Sequence, residues 1–89
     1  MRILLTQNKF AIVGPKDYAF LTQWKWYYDN TGYAARGRDG GGTISMHRQI
    51  LGTPKGMETD HKDTNTLNNQ RYNLENCTKK ENLRRKYNR

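Results

Sequence analysis

Residues 57–82 read METDHKDTNTLNNQRYNLENCTKKEN, and the order of residue types in this stretch decides the architecture. Lys55-Gly56 is a turn, and residues 57–60 (METD) leave it as a strand. A polar run follows over 61–72 (HKDTNTLNNQRY), with Leu67 as its aliphatic anchor. Short Asn, Asp and Thr side chains hydrogen-bond nearby backbone, so such a run forms a loop. Residues 73–77 (NLENC) read as the return strand. Thr78 and Glu81 then have the T-x-x-E spacing of a capping box. There a hydroxyl and a carboxylate each satisfy a backbone N–H that a helix start leaves unpaired. The spacing predicts a helix over 78–88. The unit is therefore strand, long loop, strand, helix.

Working outward, 46–51 (MHRQIL) predicts a short helix. Gly52 stands at a left-handed C-cap, and Pro54 blocks continuation. Residues 2–6 (RILLT) and 9–13 (KFAIV) are β-prone runs joined by Gln7-Asn8, which predicts a hairpin. Pro15 opens a helix over 16–23 (KDYAFLTQ), with Tyr18 and Leu21, and Phe20 at the margin, facing inward. Residues 24–29 (WKWYYD) and 33–38 (YAARGR) read as strands around Asn30-Thr31-Gly32, and 43–46 (TISM) as a third. Trp24, Trp26 and Tyr28 share one face of their strand and predict a core built on aromatics. The expected class is α+β: a small N-terminal antiparallel sheet with a short helix over 1–52, then the second unit over 53–89, packed as one compact body.

Composition narrows the function. Sixteen Lys and Arg against eight Asp and Glu leave a net charge of +8 on 89 residues. A pI near 9.9 points to a polyanionic partner, most often nucleic acid. Six cations in residues 78–89 oppose Glu81 alone, so this segment holds +5 of the total. Mean hydropathy is −1.13, and no apolar run is long enough to span a membrane. One cysteine, Cys77, excludes an internal disulfide and a zinc site built on four cysteines, or on two cysteines and two histidines. The short apolar start does not read as a signal peptide, so a soluble intracellular protein is expected.

Chemistry concentrates at Asp60-His61, Asn73 and Asn82. A carboxylate with a side-chain amide is a normal oxygen pair for Mg2+ or Mn2+. A neighbouring histidine, with an ordinary pKa of about 6.5, can act as general base near neutrality. Cation and base together are sufficient equipment to hydrolyse a phosphodiester. Bland alternatives stand beside this reading: a surface histidine at 61, an ion-paired Asp60, a solvent-facing Asn82. His47 reads at least as well as a packed histidine as it does a phosphate contact.

Residues 44–82 (ISMHRQILGTPKGMETDHKDTNTLNNQRYNLENCTKKEN) resemble the HNH nucleases, closest to the phage and intron-encoded group. That group's pattern runs Met-His-Arg, Asp-His, Leu-x-Asn, Asn-Leu, then a helix bearing Asn. Here these are Met46-His47-Arg48, Asp60-His61, Leu67-Asn68-Asn69, Asn73-Leu74 and Glu81-Asn82. The resemblance implies a ββα-metal finger: a hairpin over 57–77 crossed by helix 78–88, with one divalent cation between. It implies Asp60 and Asn82 as metal ligands, His61 as general base and Asn73 as the residue tying the loop ends. It also implies a cytoplasmic protein of phage or mobile-element type in a bacterial host. Two departures are Lys62, where the family is usually apolar, and Thr64-Asn65, where glycine is common. One geometric demand follows. Residues 60 and 61 point to opposite faces of a regular strand, so the strand must end there for both to serve one phosphate.

The expected function is a metal-dependent endonuclease on duplex DNA, held mainly by its backbone and nicking as a monomer, or cutting both strands as a homodimer. Arg48, Lys62, Lys79, Arg84, Arg85 and Lys86 are the expected phosphate contacts. The alternative is a basic DNA-binding module on a relic HNH scaffold. RNA binding is favoured only if the aromatics are exposed.

Overall fold

The computed structural model describes residues 1–87, with side chains through Arg84. Strands β1 (Arg2–Leu4) and β2 (Phe10–Ile12) pair antiparallel, with Ile3 opposite Ala11. Gln7 and Asn8 both take positive φ, 60° and 58°, as a tight hairpin turn of primed type requires. Alternation then buries Ile3, Leu5, Ala11 and Val13 and leaves Leu4 and Phe10 outside.

Helix α1 (Pro15–Leu21) has proline in its first turn, where a missing N–H costs nothing. It stops two residues earlier than expected, and Phe20 is exposed rather than inward. Leu21 and Tyr18 share a helical stripe, and position 20 lies away from it. The strand expected over 24–29 shrinks to β3 (Tyr27–Tyr28). The reason is local: Trp24 N–H and the Trp26 indole N–H both donate to the Leu21 carbonyl, at 3.3 and 2.7 Å. The tryptophans therefore cap the helix end instead of extending the sheet. Trp26 is core, as expected, while Trp24 is half-buried beneath the Arg36 guanidinium, 4.1 Å from its ring centre.

β3, β4 (Ala34–Gly37) and β5 (Thr43–Ser45) form an antiparallel sheet in that order. Helix α2 (Met46–Leu51) follows directly and buries Met46, His47 and Ile50. Gly52 ends it at φ 59°, donating its N–H to the Arg48 carbonyl. This is the left-handed cap that glycine adopts without strain.

β6 (Glu58–His61) and β7 (Leu74–Cys77) pair antiparallel, with Asp60 opposite Glu75 and His61 opposite Leu74. The return strand begins one residue later than expected, because Arg71–Asn73 form a 3₁₀ turn. Helix α3 (Lys79–Tyr87) packs on β6. Its capping box is complete: Glu81 N–H donates to Thr78 Oγ1, and Thr78 N–H to Glu81 Oε1, both at 3.1 Å. The fold is α+β, three small antiparallel sheets with short helices.

One hydrophobic cluster joins the two regions, running from Ile3, Leu5 and Val13 through Trp26 and Met46 to Leu74, with Leu67 packed against it. Backbone bonds tie β2 to the loop: Ile12 N–H to Leu67 O at 2.8 Å, and Asn69 N–H to Ile12 O at 2.7 Å. Arg71 grips the buried Asp17 carboxylate through Nε at 3.0 Å and Nη2 at 2.9 Å. Among the described residues no helix is long and apolar enough to cross a membrane.

Candidate active site

Strand β6 delivers Thr59, Asp60 and His61 to one side of a cleft of about 210 Å³, and the first turn of α3 delivers Asn82. Tyr33, Thr64 and Thr66 complete the lining. The strand does end at His61. Thr64 N–H donates to the His61 carbonyl at 2.9 Å, and Thr64 turns the chain at φ 65°. Asp60 and His61 thereby line the same cleft despite their alternation.

His61 is buried, and its Nε2 lies 2.7 Å from Asn69 Oδ1. An amide oxygen only accepts, so Nε2 carries the proton and Nδ1 keeps its lone pair. Burial pushes the His61 pKa below its usual value, although the Asn69 oxygen and the carboxylates of Asp63 and Asp60 pull the other way. The imidazole is therefore neutral at pH 7, the form a base needs. Asn69 is fully buried and is held in place by its backbone bond to Ile12. The sequence reading passed over it: it sits in the Leu67-Asn68-Asn69 run, but nothing in that run says which asparagine faces His61.

His61 is one of three rings that pack together at a tilt. Tyr33 lies 4.9 Å from His47 and 5.8 Å from His61, and the two imidazoles are 5.0 Å apart. Tyr33 is placed by Asp29, whose Oδ1 accepts from the backbone N–H of Thr31 and Tyr33, each at 2.9 Å. His47 is buried, and its Nδ1 has no hydrogen-bond partner among the described residues. Burial first, then the facing His61 and Arg48, lower its pKa to about 4, with Asp29 opposing.

This depression has a sign in stability. Between pH 6.5 and about 4 the unfolded chain binds the proton that folded His47 refuses, so stability present above 6.5 is lost as pH falls. The expected loss is about 3 kcal/mol, and His61, depressed in the same direction, adds to it. Urea titrations across that range should show it. His47→Gln should flatten the curve, and an equally steep curve in that variant would place the proton elsewhere.

Asn73 lies outside the cleft, almost fully buried beneath the loop. Its Nδ2 donates to Asp63 Oδ1 at 2.8 Å and to Asn68 O at 2.9 Å, and its Oδ1 accepts from Asp63 N–H at 3.0 Å. Burial disfavours the Asp63 carboxylate, but donors from Asn68, Asn65 and Asn73 outweigh that and hold its pKa below the usual range. Asn73→Ala removes all three bonds and strands a buried carbonyl. The expected loss is about 3 kcal/mol, a Tm lower by roughly 10–20 °C in a domain of this size. A variant with unchanged Tm and no activity would assign Asn73 a chemical role.

Asn82 is buried, and its Nδ2 donates to Glu58 Oε1 at 2.6 Å. Its Oδ1 is buried with no hydrogen-bond partner among the described residues. Buried polar atoms are seldom left so. Asn82 and Asp60 both line the cleft, and an unpartnered amide oxygen with a carboxylate is a pair of hard donors that would suit a divalent cation. Among the described residues no three His, Cys, Asp or Glu side chains cluster to hold a metal. Asp60 and Asn82 are the side chains of this cleft that would hold such a cation.

The expected phosphate contacts are dispersed. Lys62, Lys79 and Arg84 are exposed. Arg48 is half-buried and donates through Nη1 to Met57 O at 2.8 Å, bracing α2 against the approach to β6. The side chains of Arg85 and Lys86 lie outside the described residues.

A β-hairpin with a capped helix packed on it, and with Asp60, His61 and Asn82 on one cleft, makes a ββα finger. Residues 47–84, from α2 into α3, match the family model described as HNH endonuclease. The chain has no match among curated proteins and none among solved structures.

Proposed function

We propose that the protein is a divalent-metal-dependent endonuclease that hydrolyses DNA phosphodiester bonds, one strand per site. The observation that carries this reading is the meeting of Asp60, His61 and Asn82 on one cleft, with the Asn82 oxygen buried and unpartnered.

Asp60 and Asn82 would hold Mg2+ or Mn2+. Such a cation, when bound, supplies polarisation of the phosphate and charge neutralisation at the leaving oxygen. Neutral His61 takes a proton on Nδ1 from a water that attacks phosphorus in line. The bond to the 3′ oxygen breaks, leaving a 5′-phosphate and, after protonation by solvent, a 3′-hydroxyl. Asn69 holds the imidazole in the productive tautomer, and Tyr33 supports its face. Asn73 keeps loop 61–72 closed so that His61 stays at the cleft. Residues 1–52 serve as the platform, holding the loop through Ile12 and Asp17, and 53–89 as the nuclease finger. The charge of +8 draws in the DNA backbone, with Arg48, Lys62, Lys79, Arg84, Arg85 and Lys86 around the finger.

The test is incubation of supercoiled plasmid with the purified protein. Nicked circles should accumulate in Mg2+ or Mn2+ and not in EDTA. Tight DNA binding with intact plasmid in both metals would instead support a non-catalytic binding module.

A further inference from the structure

We infer that Glu58 is a positioning residue that sets the cleft's affinity for a divalent cation, by fixing which end of the Asn82 amide is left for the metal. This rests on the reading of Asn82 as a ligand. The nitrogen and oxygen of an asparagine amide are nearly the same size, and a half-turn about the last torsion exchanges them. Only the oxygen can ligate a cation; the N–H₂ end presents positive hydrogens and would repel it. A lone asparagine at the start of a helix has nothing intrinsic that chooses between the two.

Glu58 makes the choice. Its Oε1 lies 2.6 Å from Asn82 Nδ2, and an ionised carboxylate can only accept. The amide nitrogen is thereby committed to Glu58, and Oδ1 is the atom left buried and unpartnered. The wall positions agree. Glu58 borders two hollows together with Asn82, yet does not line the cleft that Asp60 and His61 share with it. Glu58 and Asp60 are two residues apart on β6, the strand against which α3 packs, and so project from one face of it. One carboxylate holds the amide nitrogen while the other would hold the cation with the amide oxygen. Hydrogen-bonding partners of this kind are worth about 10–100-fold in metal affinity.

The experiment is Mn2+ titration of the full chain, read by electron paramagnetic resonance of the free ion, beside a thermal melt. Glu58→Gln preserves shape but can donate as well as accept, so it no longer selects one amide orientation. Its Mn2+ affinity should fall about 10-fold or more, with Tm nearly unchanged. Combining Glu58→Gln with Asn82→Asp should restore binding, because either carboxylate oxygen can ligate and the glutamine can donate to the other. Parent-like Mn2+ binding in Glu58→Gln, or failure of the double variant to recover, would overturn the inference while Asn82→Ala still loses Mn2+. If Asn82→Ala binds as the parent does, the ligand reading itself fails, and the role of Glu58 with it.

Discussion

His61→Ala is expected to slow plasmid nicking by about 10²-fold or more while DNA binding and metal binding persist. The size of the effect follows from the surroundings of the imidazole. His47, with its ring centre 5.0 Å away, does not line the cleft, and burial holds its conjugate acid near pKa 4, too weak a base to substitute. Asp60 would be engaged with the cation. Removing His61 also leaves Asn69 Oδ1 without its donor, a cost of about 1–3 kcal/mol, so Tm must be measured beside the rate. Added imidazole should recover part of the activity, since the space vacated opens on the cleft. A variant that is folded and cuts as fast as the parent would remove His61 from the mechanism.

Asp60→Ala and Asn82→Ala are expected to abolish Mg2+-dependent cleavage. Hard cations bind through few, well-placed oxygens, and Asp60 and Asn82 are the side chains of this cleft that would hold one. Each deletion therefore removes one of those two ligands. The hairpin and capped helix do not depend on the cation for their hydrogen bonds, so circular dichroism should remain near that of the parent. Mn2+, more tolerant of imperfect geometry, should partly rescue Asn82→Ala and leave Asp60→Ala inactive. Undiminished cleavage by both variants would place the metal elsewhere or trace the activity to another protein.

Legibility in the sequence followed the range of the interaction. The α3 start was readable because a capping box is closed between Thr78 and Glu81, three residues apart. The Gly52 cap was readable because positive φ is open to glycine without strain, and Asn8 marks the hairpin turn in the same way, more weakly. The run over 24–29 misled. Alternating aromatics predict a strand, but a side-chain hydrogen bond from the Trp26 indole back to the Leu21 carbonyl at the end of α1 takes precedence over that preference, and aromatic alternation carries no sign of it. Asp17 gave no signal, since its partner Arg71 lies 54 residues away.

The candidate site divides along the same line. Sequence by itself determined a basic α+β chain with an Asp-His pair and a helix-borne Asn in order, because each is a matter of residue type and spacing, while the loop-tying role of Asn73 was implied by the resemblance alone. Only the tertiary structure decided that β6 ends at His61, so that two residues of opposite alternation reach one cleft. It alone decided that Asn69 Oδ1 faces His61 Nε2 and so selects the imidazole tautomer, that Glu58 takes the Asn82 nitrogen, and that the His47 ring packs at a tilt against that of His61. Tautomer, amide orientation and ring packing are set by what stands opposite in space, and a linear order of residues does not contain that information.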